Sequence, residues 1–215
     1  MKVGSDIIFT VLSVQKIGKG NKIRVSFEGY EPLNFSLDLI NKFRLEKGAQ
    51  ISLSDLHEII NLQNEIDAKQ SALRYLERRQ HSELEMRRKL EKKNYEAKVI
   101  NNTINFLKEY NYLDDYKYFE DYAQWLAERH YLGRCRIEQE LARKGANKDI
   151  ILEICDNIFR DKGNMEYESA QKILQKKQAA INRKDPSKRI PYIYNMLMRY
   201  GISTDVIRKV LDEIK

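Results

Sequence analysis

RHYLGRCRIEQELARKGANKDII, residues 129–151, decides how the rest of the chain is organised. Ile137 and Leu141 stand four apart and make a narrow apolar stripe, with Arg and Glu around the rest of the circumference. Gly145 follows the last periodic residue, where a positive φ is needed to close a helix. Asn147 and Asp149 then offer caps for a second helix, whose apolar face is Ile150, Ile151, Ile154 and Ile158. The stretch reads as a helical hairpin with a glycine corner.

The hairpin recurs. Aligning the chain on its corners brings Asn94, Gly145 and Gly201 together. Eight residues before each corner stand Met86, Ile137 and Ile193; four before, Leu90, Leu141 and Leu197. Five after stand Val99, Ile150 and Val206; thirteen after, Leu107, Ile158 and Ile214. Asn94 departs from Gly, but Asn tolerates the left-handed region next best. Corner spacings of 51 and 56 residues are too long for two-helix repeats. A third helix per period is supplied by Ile66-Leu73-Leu76, Phe119-Ala123-Leu126 and Ala170-Ile173-Leu174. The predicted fold class is therefore mainly α, with three tandem three-helix repeats in an elongated array behind a small N-terminal antiparallel β module.

These residues resemble the bacterial RecX family of regulatory proteins. Arg129, Gly133, Arg136-Ile137, Glu140-Leu141 and Lys144-Gly145 match the family's Arg-x-x-x-Gly-x-x-Arg-Ile-x-x-Glu-Leu-x-x-Lys-Gly run. Leu113-Asp114-Asp115, with Phe119, Ala123 and Trp125 downstream, looks like the segment preceding that run. Arg79, Ser82, Glu83 and Glu85 look like the family's first-repeat motif. The resemblance is strongest over residues 73–159 and weak in the last repeat. It implies a modulator, generally an inhibitor, of the RecA recombinase in DNA repair and the SOS response. Such a protein would lie in the groove of the RecA filament.

Composition sets the outer bounds. In 215 residues, 42% hydrophobic and 33% charged, the cores must be thin. No apolar run approaches a membrane span, and Met1-Lys2-Val3-Gly4 does not open a signal peptide, so a cytoplasmic, non-membrane protein is expected. A net charge of +7 points to an anionic partner such as nucleic acid, although Lys-rich helices are also simply well solvated. Cys135 and Cys155 read as two free thiols, one toward a polar face and one toward an apolar face. With three scattered His they make no metal site, and no cofactor is expected.

In chain order, residues 1–50 form the β module. The first strand, Ile7 to Leu12, has two apolar faces, one of which must be covered. Gly18-Lys19-Gly20-Asn21 is a hairpin turn, lacking the spacing of a phosphate loop. Ile23-Val25-Phe27 returns, and Leu33-Phe35-Leu37 makes a third strand, with Pro32 suited to an edge. Ser36 starts a short helix through Ile40 and Phe43, ended by Gly48. Residues 51–113 hold repeat one, entered by one long helix from Ser52 or Ser54, or by two helices broken near Asn64. Ser82 and Glu85 make a capping box for the next helix. Repeat two occupies 114–162 and repeat three 163–215. Asp114-Asp115 reads as a helix cap, not a catalytic pair, and Tyr118, Tyr122 and Trp125 as core. Gln175-Lys176-Lys177 and residues 183–189 read as an exposed basic helix end and loop, with Pro191 in the first turn of the next helix.

The candidate DNA- or RecA-binding residues are Arg87, Arg88, Lys92, Arg129, Arg136, Arg143 and Lys144, with Arg136 equally suited to pairing with Glu140. Partners expected are the RecA filament and single- and double-stranded DNA, met by a monomer. The other readings are a sequence-nonspecific nucleic-acid adaptor unrelated to RecA and an enzyme; no nucleophile–base pair, phosphate loop or metal cluster supports the last.

Overall fold

In a computed structural model, residues 7–18, 20–160 and 164–214 are described. Lys19 of the predicted turn lies outside them. Among the described residues four antiparallel strands lie N-terminal, with one short helix between the third and the fourth, and nine further helices follow. The chain divides into two compact units, Met1–Arg78 with Lys89–Leu107 and Arg79–Arg88 with Lys108–Lys215.

The first unit is built on β1 (Ile8–Lys16), β2 (Lys22–Phe27), β3 (Tyr30–Ser36) and β4 (Gln50–Ser52), in sheet order β3-β2-β1-β4. Ile23, Val25, Phe27 and Phe35 alternate inward and join Val11, Leu39, Leu56 and Ile59 in one core. Pro32 sits in the edge strand β3, where its missing N–H costs no ladder bond.

As expected, one apolar face of β1 is covered, by Val11 in the core with Phe9 packed against it, while Ile8 and Leu12 on the other stay 58% and 50% exposed. One expectation changes here: α1 (Leu37–Lys42) stops well before Gly48. Gly48, at φ +89, instead turns the chain into β4, its N–H donating to the Val11 carbonyl at 2.8 Å. A three-residue strand with a single apolar residue, Ile51, leaves no periodicity to read.

Helix α2 (Leu53–Leu76) is unbroken, about 36 Å long at 1.5 Å per residue. Ser52 caps it, its hydroxyl accepting from Asp55 N–H at 3.1 Å. Its buried residues toward the C-terminal end are Ala68, Ser71 and Ala72, with Ile66, Leu73 and Leu76 only partly covered. Small residues let neighbouring backbone come close. Lys89 and Lys93 lie over the Tyr75 ring at 4.4 and 5.8 Å, and α4 (Ala97–Glu109) packs within the same unit.

Helix α3 (Glu83–Glu91) contributes its first residues to the second unit, which continues with α5 (Asp115–His130), α6 (Arg134–Lys144), α7 (Lys148–Arg160), α8 (Met165–Asn182), α9 (Pro186–Tyr200) and α10 (Thr204–Asp212). The helices thus follow as three triplets, each with a corner in the left-handed region: Asn94 at φ +60, Gly145 at +103 and Gly201 at +79. At offsets −8 and −4 all six apolar residues are at most 2% exposed. On the far arm the deepest offsets are +6, +9 and +10: Ile100, Thr103 and Ile104; Ile151, Ile154 and Cys155; Ile207, Val210 and Leu211. Offset +13 holds only partly, because Ile214 lies beyond the end of α10 and is 47% exposed.

The basic segment after residue 174 also differs from expectation. Gln175, Lys176 and Lys177 lie inside α8, and Asp185 caps α9 at the Ser187 N–H, 2.9 Å, with Pro186 in the first turn. Pro191 therefore falls within α9. Both cysteines are free; Cys135 is exposed and Cys155 buried, where desolvation pushes its thiol up to about 12. Among the described residues no helix is long and apolar enough to cross a membrane, and no group of three or more His, Cys, Asp or Glu is placed to hold a metal ion.

Candidate nucleic-acid interface

Two junctions inside the second unit position the segments that carry six of the seven candidate residues. At the head of α3, Ser82 Oγ accepts from Glu85 N–H at 3.2 Å and donates to the Lys144 carbonyl at 2.7 Å. Asp115 Oδ1 accepts from Glu83 N–H at 2.7 Å, so the second Asp of the pair caps a different helix while Asp114 caps its own at Lys117 N–H. Leu84 packs on Gly145, where an added Cβ would approach to 2.8 Å. The second junction repeats the plan. Glu166 accepts from Arg134 N–H at 2.8 Å and from Ser203 N–H at 3.1 Å, and Gly133 N–H donates to the Tyr200 carbonyl at 2.8 Å. The heads of α3 and α6 are each capped by an acid from the start of the next triplet and rest on a corner of the chain.

Half of the predicted capping box is realised. The Glu85 carboxylate does not reach back to its own N-cap; it accepts from Arg79 at 3.0 Å, Lys144 at 2.5 Å and the Tyr118 hydroxyl at 3.2 Å. Burial alone would push this carboxyl up, but the hydrogen bonds from Arg79 and Lys144 outweigh it and hold it at about 2. Burial likewise opposes the charge of Lys144, and the bond to Glu85 more than restores it, so the ammonium titrates above its ordinary range.

This pairing sorts the seven candidate cations. Arg87 is held by Glu83 at 2.6 Å, and Glu83 also takes Lys108. Arg136 reaches Glu140 at 3.0 Å, and Arg143 shares the same carboxylate. Lys144 belongs to the Glu85 cluster. Arg88, Lys92 and Arg129 are exposed and form no ion pair among the described residues. Lys92 lies in the first unit and the other six in the second.

Arg129 has company that spacing in sequence does not reveal. Helix α5 ends at His130, with Tyr131 in the left-handed region at φ +58, and the chain turns there against α8. A cleft of about 280 Å³ opens at the turn, lined by Arg129, His130 and Tyr131 on one side and Ile173, Lys176 and Lys177 on the other. Among the described residues no carboxylate lines it. Lys176 Nζ lies 4.3 Å over the Tyr131 ring, with Lys172 at 5.6 Å over the same ring. Three cations thus surround one concavity, and among the described residues none of them is in an ion pair, an arrangement that concentrates positive potential there. From sequence Lys176 and Lys177 read as part of an exposed basic stretch; that they face Arg129 depends on how α8 returns beside α5.

The aromatic residues of α5 are also redistributed. Tyr118 is 8% exposed and core-like, as expected, but Trp125 is 48% exposed. Tyr118 and Tyr122 stack with centroids 6.0 Å apart, Tyr122 and Trp125 at 5.9 Å, and His130 lies 4.1 Å from Trp125. Lys144 Nζ sits 5.3 Å over Tyr122.

Comparison with known proteins adds three findings. Residues 68–107 match the family model for the first three-helix domain of RecX. Regulatory protein RecX of Clostridium perfringens is 32% identical over 91% of this chain and 92% of its own length, and that of Clostridium beijerinckii 31% identical over 95% and 94%. A crystal structure of a regulatory protein RecX superposes with a TM-score of 0.69 at 18% identity, over 95% of this chain and 99% of the other. RecX from Lactobacillus salivarius gives 0.59 at 22%, over 70% and 96%.

Proposed function

The chain belongs to the RecX family of regulatory proteins, and from that premise we propose that it binds the RecA nucleoprotein filament and DNA and restrains recombinase activity in repair and the SOS response. RecA is the partner the family implies. The observation that carries the DNA half is the cleft between α5 and α8, where Arg129, Lys176 and Lys177 converge with no carboxylate among the described lining residues. Arg88 and Lys92 add exposed positive charge on and just after α3. Arg87, Arg136, Arg143 and Lys144 contribute less to a ligand, since each already neutralises a glutamate of this chain.

A surface of this kind grips phosphate by charge, and phosphate recognition carries no base sequence information. It therefore fits a partner met anywhere along DNA. The protein acts as a monomer within the cytoplasm on this reading. Strand exchange by the cognate RecA, with the protein added at stoichiometry to RecA, tests it. Exchange should slow several-fold. Unchanged exchange alongside intact DNA binding would leave a nucleic-acid adaptor with no RecA connection.

A further inference from the structure

We propose that Trp125 is a stacking platform for an unpaired base, so that the α5–α8 cleft and the aromatic ladder together form a subsite for single-stranded nucleic acid. The inference rests on the DNA-binding reading and sharpens it to one strand state.

The ladder is anchored at its buried end. Tyr118 is held in the core, and its hydroxyl donates to the Glu85 carboxylate that Arg79 and Lys144 clamp. Tyr122 stacks on it nearly parallel, with a 12° tilt, and Trp125 follows on Tyr122 at 20°. Trp125 thus reaches the surface on a ring stack whose base cannot swing, with nearly half its area open to water. An indole held at the end of such a stack offers a base a flat apolar face whose position is already fixed, so stacking on it costs little side-chain entropy. His130 connects the platform to the charged site, lying 4.1 Å from Trp125 and lining the cleft with Arg129, Lys176 and Lys177.

A phosphate in the cleft and a base on the adjoining indole is the pairing that single strands satisfy. In a duplex both faces of every base are taken by their neighbours, so an indole can gain nothing without unstacking the helix. Glu128 is the nearest acid along this face in sequence, and its carboxylate is engaged by the Gln124 amide at 3.0 Å.

Trp125 is the sole tryptophan of the chain, so its fluorescence reports the site directly. The full-length protein is titrated with oligothymidylate, with an abasic oligodeoxyribose phosphate of equal length, and with duplex DNA. Oligothymidylate should quench Trp125 and bind more tightly than the abasic chain. Trp125→Ala should weaken oligothymidylate binding, measured by anisotropy of a labelled strand, about 5- to 100-fold, while leaving abasic binding and its salt slope unchanged. Circular dichroism of the variant checks that it remains folded, and Trp125→Phe should restore part of the affinity. Equal binding of the two single strands without quenching would overturn the stacking subsite but leave phosphate binding standing. Failure of all three ligands to bind at low salt would overturn the DNA reading itself.

Discussion

At the scale of single residues, Glu85 shows how far charge in this chain is committed inward. It takes Arg79, Lys144 and the Tyr118 hydroxyl at once, fastening the head of α3 to the end of α6 and to α5. From sequence, Lys144 stands free for a ligand because its acid partner is 59 positions away and invisible to helical spacing. Arg136 with Glu140, four apart on one helix, was readable. A carboxyl lowered to about 2 in the fold but ordinary when unfolded contributes stability above pH 5 or so, lost as pH falls toward 2. Glu85→Gln should cost about 1–2 kcal/mol at pH 7, the cluster being partly screened by solvent. Urea unfolding at pH 7, 4 and 2.5 should find the gap between wild type and variant shrinking with acid; a gap that does not change with pH would mean the cluster acts through shape alone.

At the scale of elements, the recurring device is the docking of a middle-helix head on the next triplet's corner. Gly133 carries its tightest form. A Cβ there would come within 2.2 Å of the Gly201 carbonyl oxygen, backbone against backbone, with no flexible side chain to give way. Gly133→Ala should therefore destabilise by about 1–3 kcal/mol, seen as a fall in Tm of about 2–4 °C per kcal/mol in a chain this size. Gly20→Ala, with open space around its added Cβ, is the control and should leave Tm within a degree or so. Equal Tm for both variants would mean that the junction accommodates the methyl.

The corners and stripes behind this plan were legible because they are local: a residue tolerant of positive φ, and apolar partners four apart before it. The junction acids were not. Asp115 and Glu166 cap helices 32 residues upstream, and nothing in their own neighbourhood announces it. β4 escaped for the opposite reason, being too short to have a period at all.

At the scale of the whole molecule, a charge of +7 suits an anionic partner without locating where one would bind. Of the seven cations that stand out by density along helices, the fold neutralises four with its own glutamates, and Arg88, Lys92 and Arg129 form no ion pair among the described residues. The cleft joins Arg129 instead to Lys176 and Lys177, 47 and 48 positions further on. Likewise Trp125, read from its spacing as core, surfaces because the ladder climbs outward from Tyr118. Linear charge density measures how many cations a segment holds, whereas binding depends on how many remain unanswered. On the proposed reading, the protein restrains RecA through that cleft.

Single-stranded-DNA-dependent ATP hydrolysis by preformed RecA filaments, with wild-type protein and with the Arg129→Glu, Lys176→Glu, Lys177→Glu variant, tests it most directly. Wild type at stoichiometry to RecA should suppress hydrolysis several-fold, and the variant, folded by circular dichroism, should need at least tenfold more protein for the same effect. Equal suppression by both would contradict the role of the cleft, and no suppression by the wild type would contradict the account as a whole.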